Sequence, residues 1–273
     1  MVSIGSSSSL QNILINMART SGKVNSLSKK LSTGKAVNDG KDSAEAIHKL
    51  NQLTAEINGL NIANENASST SNLLGTADGG LTAILSSLQQ LRDTAVQASD
   101  GTISASDRAN LSSNADALLS GIDQTASSLS YGDTNLLDGS FGTQTVQVGA
   151  NEGDAVSVTL ESATTSALGI SGIDLSSDTS SGSAITTIDN AINQVISQMA
   201  SSGSDQSRLE NIQNTNNTSI DTLSQSRSNL QDLDYAGAVT LMAKLKIQQQ
   251  AQLQVLGTAI NSSSQTSKLS IRT

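Results

Sequence analysis

His48 is the only histidine in the chain, and there is no cysteine. A metal centre built from nitrogen and sulfur ligands would therefore find one of them, and neither a disulfide nor a thiolate nucleophile can form. A Ser–His–Asp arrangement would need the fold to bring His48 to a serine. Its place beside Lys49 in a polar helical stretch reads instead as an ordinary solvated position. Carboxylate pairs such as Asp232 and Asp234 are the raw material of acid–base catalysis. With 24 Asp and Glu in the chain, however, such proximities follow from composition alone. No Walker or G-x-G-x-x-G loop offers backbone amides to a phosphate. Residue types and spacing thus provide no catalytic, metal or cofactor site, and the chain is expected to act as a non-enzyme, through its surfaces.

Charge is the first feature of those surfaces. Residues 1–50 carry a net +4, residues 236–273 carry another +4 with no acid, and the stretch between them carries −17. The basic ends lack the dense runs and interleaved aromatics of a nucleic-acid surface, and the overall balance of −9 opposes such a partner. They read as solvated helix faces, with no nucleic acid bound. No segment approaches the 18 or so apolar residues that span a bilayer, so no membrane partner is expected. The opening Met1-Val2-Ser3-Ile4-Gly5 lacks the basic-then-apolar pattern of a cleaved leader.

The elements follow from the apolar spacing. Only Tyr131, Phe141 and Tyr235 are aromatic and proline is absent. Burial must come from Leu, Ile, Val and Ala, in long elements that no proline interrupts. Leu10, Leu14, Met17, Val24 and Leu31 repeat at 3-4 spacing, with Ser21 and Ser28 in the gaps and Ile13 and Leu27 widening the stripe. After a break at Ser32–Lys35, Asp42 is placed to cap a second helix, with Glu45 three residues on. Apolar positions then continue from Ala46 through Leu50, Leu53 and Leu74 to Val96, across a weak point at Gly79-Gly80. A third helix is predicted from Asp107 to about Ser128. Residues 143–148 and 155–160 alternate with period two and read as strands joined through Asn151–Asp154. Ser176 to Ser183 reads as a linker. Helical spacing resumes at Ile185, with a weak patch before Leu209 that Ser207 and Glu210 could cap.

The fold class predicted is mainly α: a long antiparallel helical hairpin or bundle made by the two terminal arms, with a small β-hairpin region in the middle. The division expected is residues 1–40 with 236–273, residues 41–130 with 184–235, and residues 131–183. Both arms carry apolar stripes among many Ser, Asn and Gln, which are poor helix formers. A lone helix of this kind is marginal in water. Both ends are therefore expected to be partly disordered in the free chain and to order on assembly. Leu10, Leu14, Met17, Val24, Leu27 and Leu31 of the first arm are the expected assembly interface, together with Leu241, Leu245, Leu253, Leu256 and Ile260 of the last.

Several segments together resemble bacterial flagellins. Leu31-Ser32-Thr33-Gly34-Lys35-Ala36-Val37-Asn38, followed by Lys41-Asp42-Ser43-Ala44, is similar to a signature of that family. So are Ile57-Asn58-Gly59-Leu60 with Ala63, Asn66 and Ala67, and the run Leu88 to Gln97. At the other end Asp234-Tyr235-Ala236, Gln248-Gln249-Gln250-Ala251 and Val255-Leu256 complete the resemblance. The tail Ser262 to Thr273 departs from it, lacking the family's Pro-containing, Leu-rich ending.

The resemblance implies a short-form subunit that polymerises with itself into an extracellular filament for motility. The terminal helical pair would form the inner core and the next helices a surrounding shell. It also implies export through the flagellar apparatus without a cleaved leader, with an export chaperone and the filament cap as partners. Hook–filament junction proteins of the same family are the alternative. In flagellins the segment holding Gln89, Arg92, Asp93 and Val96 is both a packing surface and the surface recognised by Toll-like receptor 5. Here Thr94 replaces the usual Leu, and Asn114 stands where recognised flagellins carry Glu.

Overall fold

A computed structural model describes the backbone of residues 3–270 and the side chains of residues 10–262. The tail from Ser263 onward, whose Lys268 and Arg272 count in the C-terminal charge given above, lies outside the described side chains. Among the described residues, five helices and four short strands follow in the order α1 (Ser3–Thr33), α2 (Ala44–Ala98), α3 (Ala105–Ser128), β1 (Ser130–Tyr131), β2 (Thr134–Asn135), β3 (Gly142–Gln147), β4 (Ala155–Leu160), α4 (Asp178–Gln231) and α5 (Tyr235–Ser270). The chain divides into two units, Met1–Ala55 with Thr222–Thr273, and Glu56–Asp221.

In the first unit α1 packs against α5. Gln252 reaches Thr20, Leu27 clusters with Leu245 and Ala238, and Lys35 bridges to Asp232. Rising numbers on one helix thus meet falling numbers on the other, and the pair is antiparallel. The inward positions of α1 are Leu10, Ile13, Met17, Thr20, Val24, Leu27 and Leu31. Those of α5 are Ala238, Met242, Leu245, Gln249, Gln252, Leu256 and Ala259. Both series alternate steps of three and four, the spacing of a coiled-coil seam.

The seam corrects the sequence reading by one residue. Leu10, Met17, Val24 and Leu31 belong to it as expected, but the intervening positions are Ile13, Thr20 and Leu27 rather than Leu14, Ser21 and Ser28. The first set buries two large aliphatic side chains and the second only one. Leu14 is instead 49% exposed.

Gly34 adopts φ +69 and ends α1, a left-handed conformation that glycine enters without a Cβ penalty. The chain then runs alongside residues 231–233: Ala36 N donates to Gln231 O at 2.7 Å and Leu233 N to Gly34 O at 3.0 Å. The cap of α2 is Ser43, whose hydroxyl accepts from Ala46 N, and not Asp42 as the sequence suggested. The Asp42 carboxylate is taken up on the other side, accepting from Asn38 N at 2.9 Å and lying 3.7 Å from Lys30 Nζ.

The Asn38 N–H, helped by the Lys30 ammonium, holds the Asp42 carboxyl below the ordinary carboxylate range. A carboxylate so depressed contributes stability that is present above its unfolded value of about 3.9. That contribution is lost as pH falls through the lower folded value. The turn at 38–42 is therefore expected to loosen below about pH 4 and to be insensitive to pH above 5. The Asn38 amide resonance, followed by NMR titration in the wild type and in Asp42→Asn, checks this.

The second unit has a core of Leu, Ile, Val and Ala. Leu74, Leu81, Ile84, Leu88 and Leu91 of α2 are fully buried, as are Ile122 of α3 and Ile188 of α4. Helix α2 runs through Gly79-Gly80 without a break. A Cβ at Gly80 would collide with Leu129 and come within 3.0 Å of Leu137 Cδ1, so the glycine admits a close approach there. Helix α3 starts two residues earlier than predicted because Ser104 caps it, accepting from Asp107 N. Arg108, buried, donates to the carbonyl of Ala98, an orphan acceptor at the end of α2, and to that of Asp100 in the turn beyond it.

The β3–β4 hairpin forms where period-two alternation placed it, with Val146 paired to Val156. Its inward residues Val156, Val158 and Leu160 join the core. Helix α4 begins at Asp178, inside the predicted linker, because Ser177 and Ser180 cap it reciprocally at 3.1 Å. It also continues without a break through the weak patch before Leu209 that Ser207 and Glu210 could cap.

Ser202, on this stretch, is buried with its hydroxyl unpartnered. Removing a buried, unsatisfied hydroxyl leaves no partner bereft. Ser202→Ala is expected to leave the unit unchanged or stabilise it by up to about 1 kcal/mol, read as an upward shift in the denaturant midpoint.

Candidate assembly surface

The seam between α1 and α5 is thin. Among the described residues, Leu27, Ala238 and Leu245 form its buried aliphatic cluster, with Val24, Leu31, Leu233 and Met242 packed partly against them. Leu10, Met17 and Leu256 are half-buried. Leu14, Leu241, Leu253 and Ile260 are about half exposed. Of the eleven positions read from sequence as the interface, the fold thus brings Leu27 and Leu245 fully together and lines up Leu10, Met17, Val24, Leu31 and Leu256 beside them. It leaves the remaining four open.

Those open positions have a pattern. On α5, Val239, Leu253 and Ile260 flank one side of the seam at heptad spacing, and Leu241 and Val255 flank the other. A two-helix coiled coil carries charged residues there; large aliphatic residues on both flanks fit a helix that meets more than one neighbour. Of the 13 large apolar residues left exposed among the described residues, nine lie on α1 and α5. Beside Leu27, Leu241 and Leu245 runs a groove of about 620 Å³ edged by Arg19, Lys23 and Lys30.

A second surface lies on α2. Gln89, Arg92, Asp93 and Val96 share one helical face, with Val96 44% exposed, Gln89 and Asp93 exposed and Arg92 half-buried. Arg92 Nε donates to Asp189 Oδ1 of α4 at 2.6 Å, a partner that no spacing in the sequence marks. Thr94 is turned inward, buried, and donates to Gln90 O. Asn114 of α3 is exposed.

His48 is exposed. Among the described residues no three His, Cys, Asp or Glu gather closely enough to hold a metal ion, and no helix is long and apolar enough to cross a membrane.

Residues 4–142 match the model of the bacterial flagellin N-terminal helical region, and residues 185–267 that of the bacterial flagellin C-terminal helical region. A flagellin of Listeria innocua is 32% identical over 248 residues, which cover 84% of this chain and 86% of that protein. The B-type flagellin of Pseudomonas aeruginosa is 36% identical over 154 residues, 56% of this chain. The match takes in 32% of that protein, so this chain spans about a third of its length. The crystal structure of Bacillus cereus flagellin superimposes with a TM-score of 0.51 at 26% identity, over 56% of this chain and 88% of that one.

Proposed function

Because the chain belongs to the bacterial flagellin family, we propose that it is a structural subunit that polymerises with copies of itself into the extracellular flagellar filament used for motility. The observation that carries this reading is the distribution of exposed apolar side chains. Nine of 13 lie on α1 and α5, and clustered exposed apolar surface marks an interaction site. In this reading the flanking residues Leu14, Leu241, Leu253 and Ile260 meet other copies, while Leu27 and Leu245 hold the pair within one copy. Residues 1–40 with 236–273 form the inner core of the filament, residues 41–130 with 184–235 its shell, and residues 131–183 a small outward region. The match of the C-terminal region to flagellin favours this over a hook–filament junction protein. Passage through the flagellar export apparatus, with an export chaperone and the filament cap as partners, belongs to the same proposal.

Seeded growth tests it. Concentrated protein given filament fragments is expected to elongate them, and removal of residues 1–30 or of 245–273 is expected to stop elongation. Equal elongation by both truncated chains would overturn the proposal.

The face of Gln89, Arg92, Asp93 and Val96 is proposed as a packing surface and a contact for Toll-like receptor 5. In a cell reporter assay on purified monomer, Arg92→Ala is expected to reduce the response about tenfold or more, the scale for losing a charged contact. A response unchanged by the substitution would remove Arg92 from the contact.

A further inference from the structure

We propose that Thr20 and Gln252 fix the register in which α1 and α5 pair, and are thereby specificity-determining residues for assembly. Gln252 Nε2 donates to Thr20 Oγ1 at 3.2 Å, and the Thr20 hydroxyl donates onward to Asn16 O at 2.9 Å. The two side chains meet across the seam, on inward positions that are otherwise mostly aliphatic. Thr20 is 5% exposed, and Gln252 Oε1 is buried without a partner. A pair selected for stability alone would carry aliphatic residues at both positions. A polar pair here costs burial and leaves an acceptor unpaired, the mark of a device that rejects wrong alignments.

The wrong alignments are specific. In the observed register Leu27 lies with Leu245 and Thr20 with Gln252. Sliding α5 by one heptad keeps every aliphatic row in contact with another. It would, however, set the Gln252 amide against Leu27 or Ile13, and the Thr20 hydroxyl against Leu245 or Ala259. The amide then has no partner at all, so among the described inward side chains that layer penalises the slip. The backbone clip at Gly34–Ala36 and Gln231–Leu233 holds one end of the pair. Thr20 lies 14 residues before Gly34 in the sequence, about 21 Å along a helix axis, and the half of the pair beyond it depends on the seam. In the filament reading, on which the consequence for assembly rests, many copies of both helices are in reach of one another, and a slipped pair would offer its flanking aliphatic residues out of phase.

The chain has no cysteine, so introduced pairs report register without interference. Met17→Cys with Leu256→Cys is the in-register pair, and Val24→Cys with Leu256→Cys is the pair one heptad out. In the full-length free chain, a short bismaleimide is expected to link the first at least about tenfold more than the second, the preference that one unmade buried hydrogen bond gives. In Thr20→Val/Gln252→Leu, which keeps shape and removes polarity, that preference is expected to fall to about threefold or less while the helices remain formed. The exchanged variant Thr20→Gln/Gln252→Thr is expected to restore it. An apolar variant that keeps the full preference, or an exchanged variant that does not restore it, overturns the proposal. Because linking is read on the free chain, it stands or falls separately from seeded growth; in seeded growth the apolar variant is expected to elongate more slowly than the wild type.

Discussion

Replacing Leu253 and Ile260 by Asp is expected to leave the free chain folded and to raise the concentration needed for filament growth about 100-fold or more. Each side chain is 52% exposed, so neither is a main support of the α1–α5 seam. On assembly each has roughly half its surface still to bury, worth about 1 kcal/mol apiece at the usual transfer value. Each introduced carboxylate also resists desolvation, which adds a penalty of at least the same size. About 1.4 kcal/mol is tenfold in an equilibrium constant, and the two sites lie on the same flank of one helix, so the effects accumulate. Far-ultraviolet circular dichroism reports whether the monomer is intact, and sedimentation of seeded samples gives the critical concentration. The control is Lys246→Asp, on the same flank between Val239 and Leu253. It replaces one charged side chain with another and is expected to cost far less. Unchanged growth of the double variant would mean that this flank faces solvent in the polymer.

The second large effect concerns the other unit. Leu81→Ala is expected to destabilise Glu56–Asp221 by about 2–5 kcal/mol, the range for truncating a fully buried leucine. Leu81 has no exposed surface and belongs to the aliphatic core cluster. The core around it is a cluster of Leu, Ile, Val and Ala with Phe141 its one aromatic ring, and close packing limits how far the neighbours can collapse into the space. Urea unfolding, monitored by amide exchange on α3, is expected to show a lower midpoint with an unchanged slope. The α1–α5 pair is expected to keep its exchange pattern, because Leu81 lies in the other unit.

Much of this fold is legible in the sequence because most of the chain repeats its apolar residues at helical spacing. The second and fourth helices lie where Leu and Ile recur every three or four residues, and the β3–β4 hairpin where Thr, Val and Gln alternate. What the sequence left ambiguous has physical causes. Leu14 and Ile13 are both large and adjacent, so spacing alone could not decide which faces inward; the partner helix decides it. The weak patch at Ser207 lacks large apolar residues, yet the helix continues there because Gln198, Ser202 and Leu209 are buried in the unit. Residues 161–177 show no period at all. They nevertheless carry Ala163, Leu168, Ile170 and Leu175 into the core, held by the Asp123 carboxylate, which accepts from Thr165 N and from its hydroxyl at 2.8 Å.

On the proposed surfaces, the terminal stripes were visible as stripes, but their division into a seam and two open flanks was not. That division depends on where α5 lies against α1. The partners Asp189 for Arg92 and Gln252 for Thr20 are separated from them by 97 and 232 residues. No local pattern reaches across such a distance.

In the free chain α1 and α5 are expected to be only marginally held, and to be completed by other copies. Hydrogen exchange by mass spectrometry, on monomer and on seeded filament under the same conditions, tests it most directly. Amides of residues 10–33 and 236–262 are expected to exchange rapidly in the monomer and to become at least about 100-fold slower in the filament, as coupled ordering requires. Amides around Leu74 to Leu91 are expected to be slow in both. Slow exchange of both terminal helices in the monomer, unchanged in the filament, would contradict the claim.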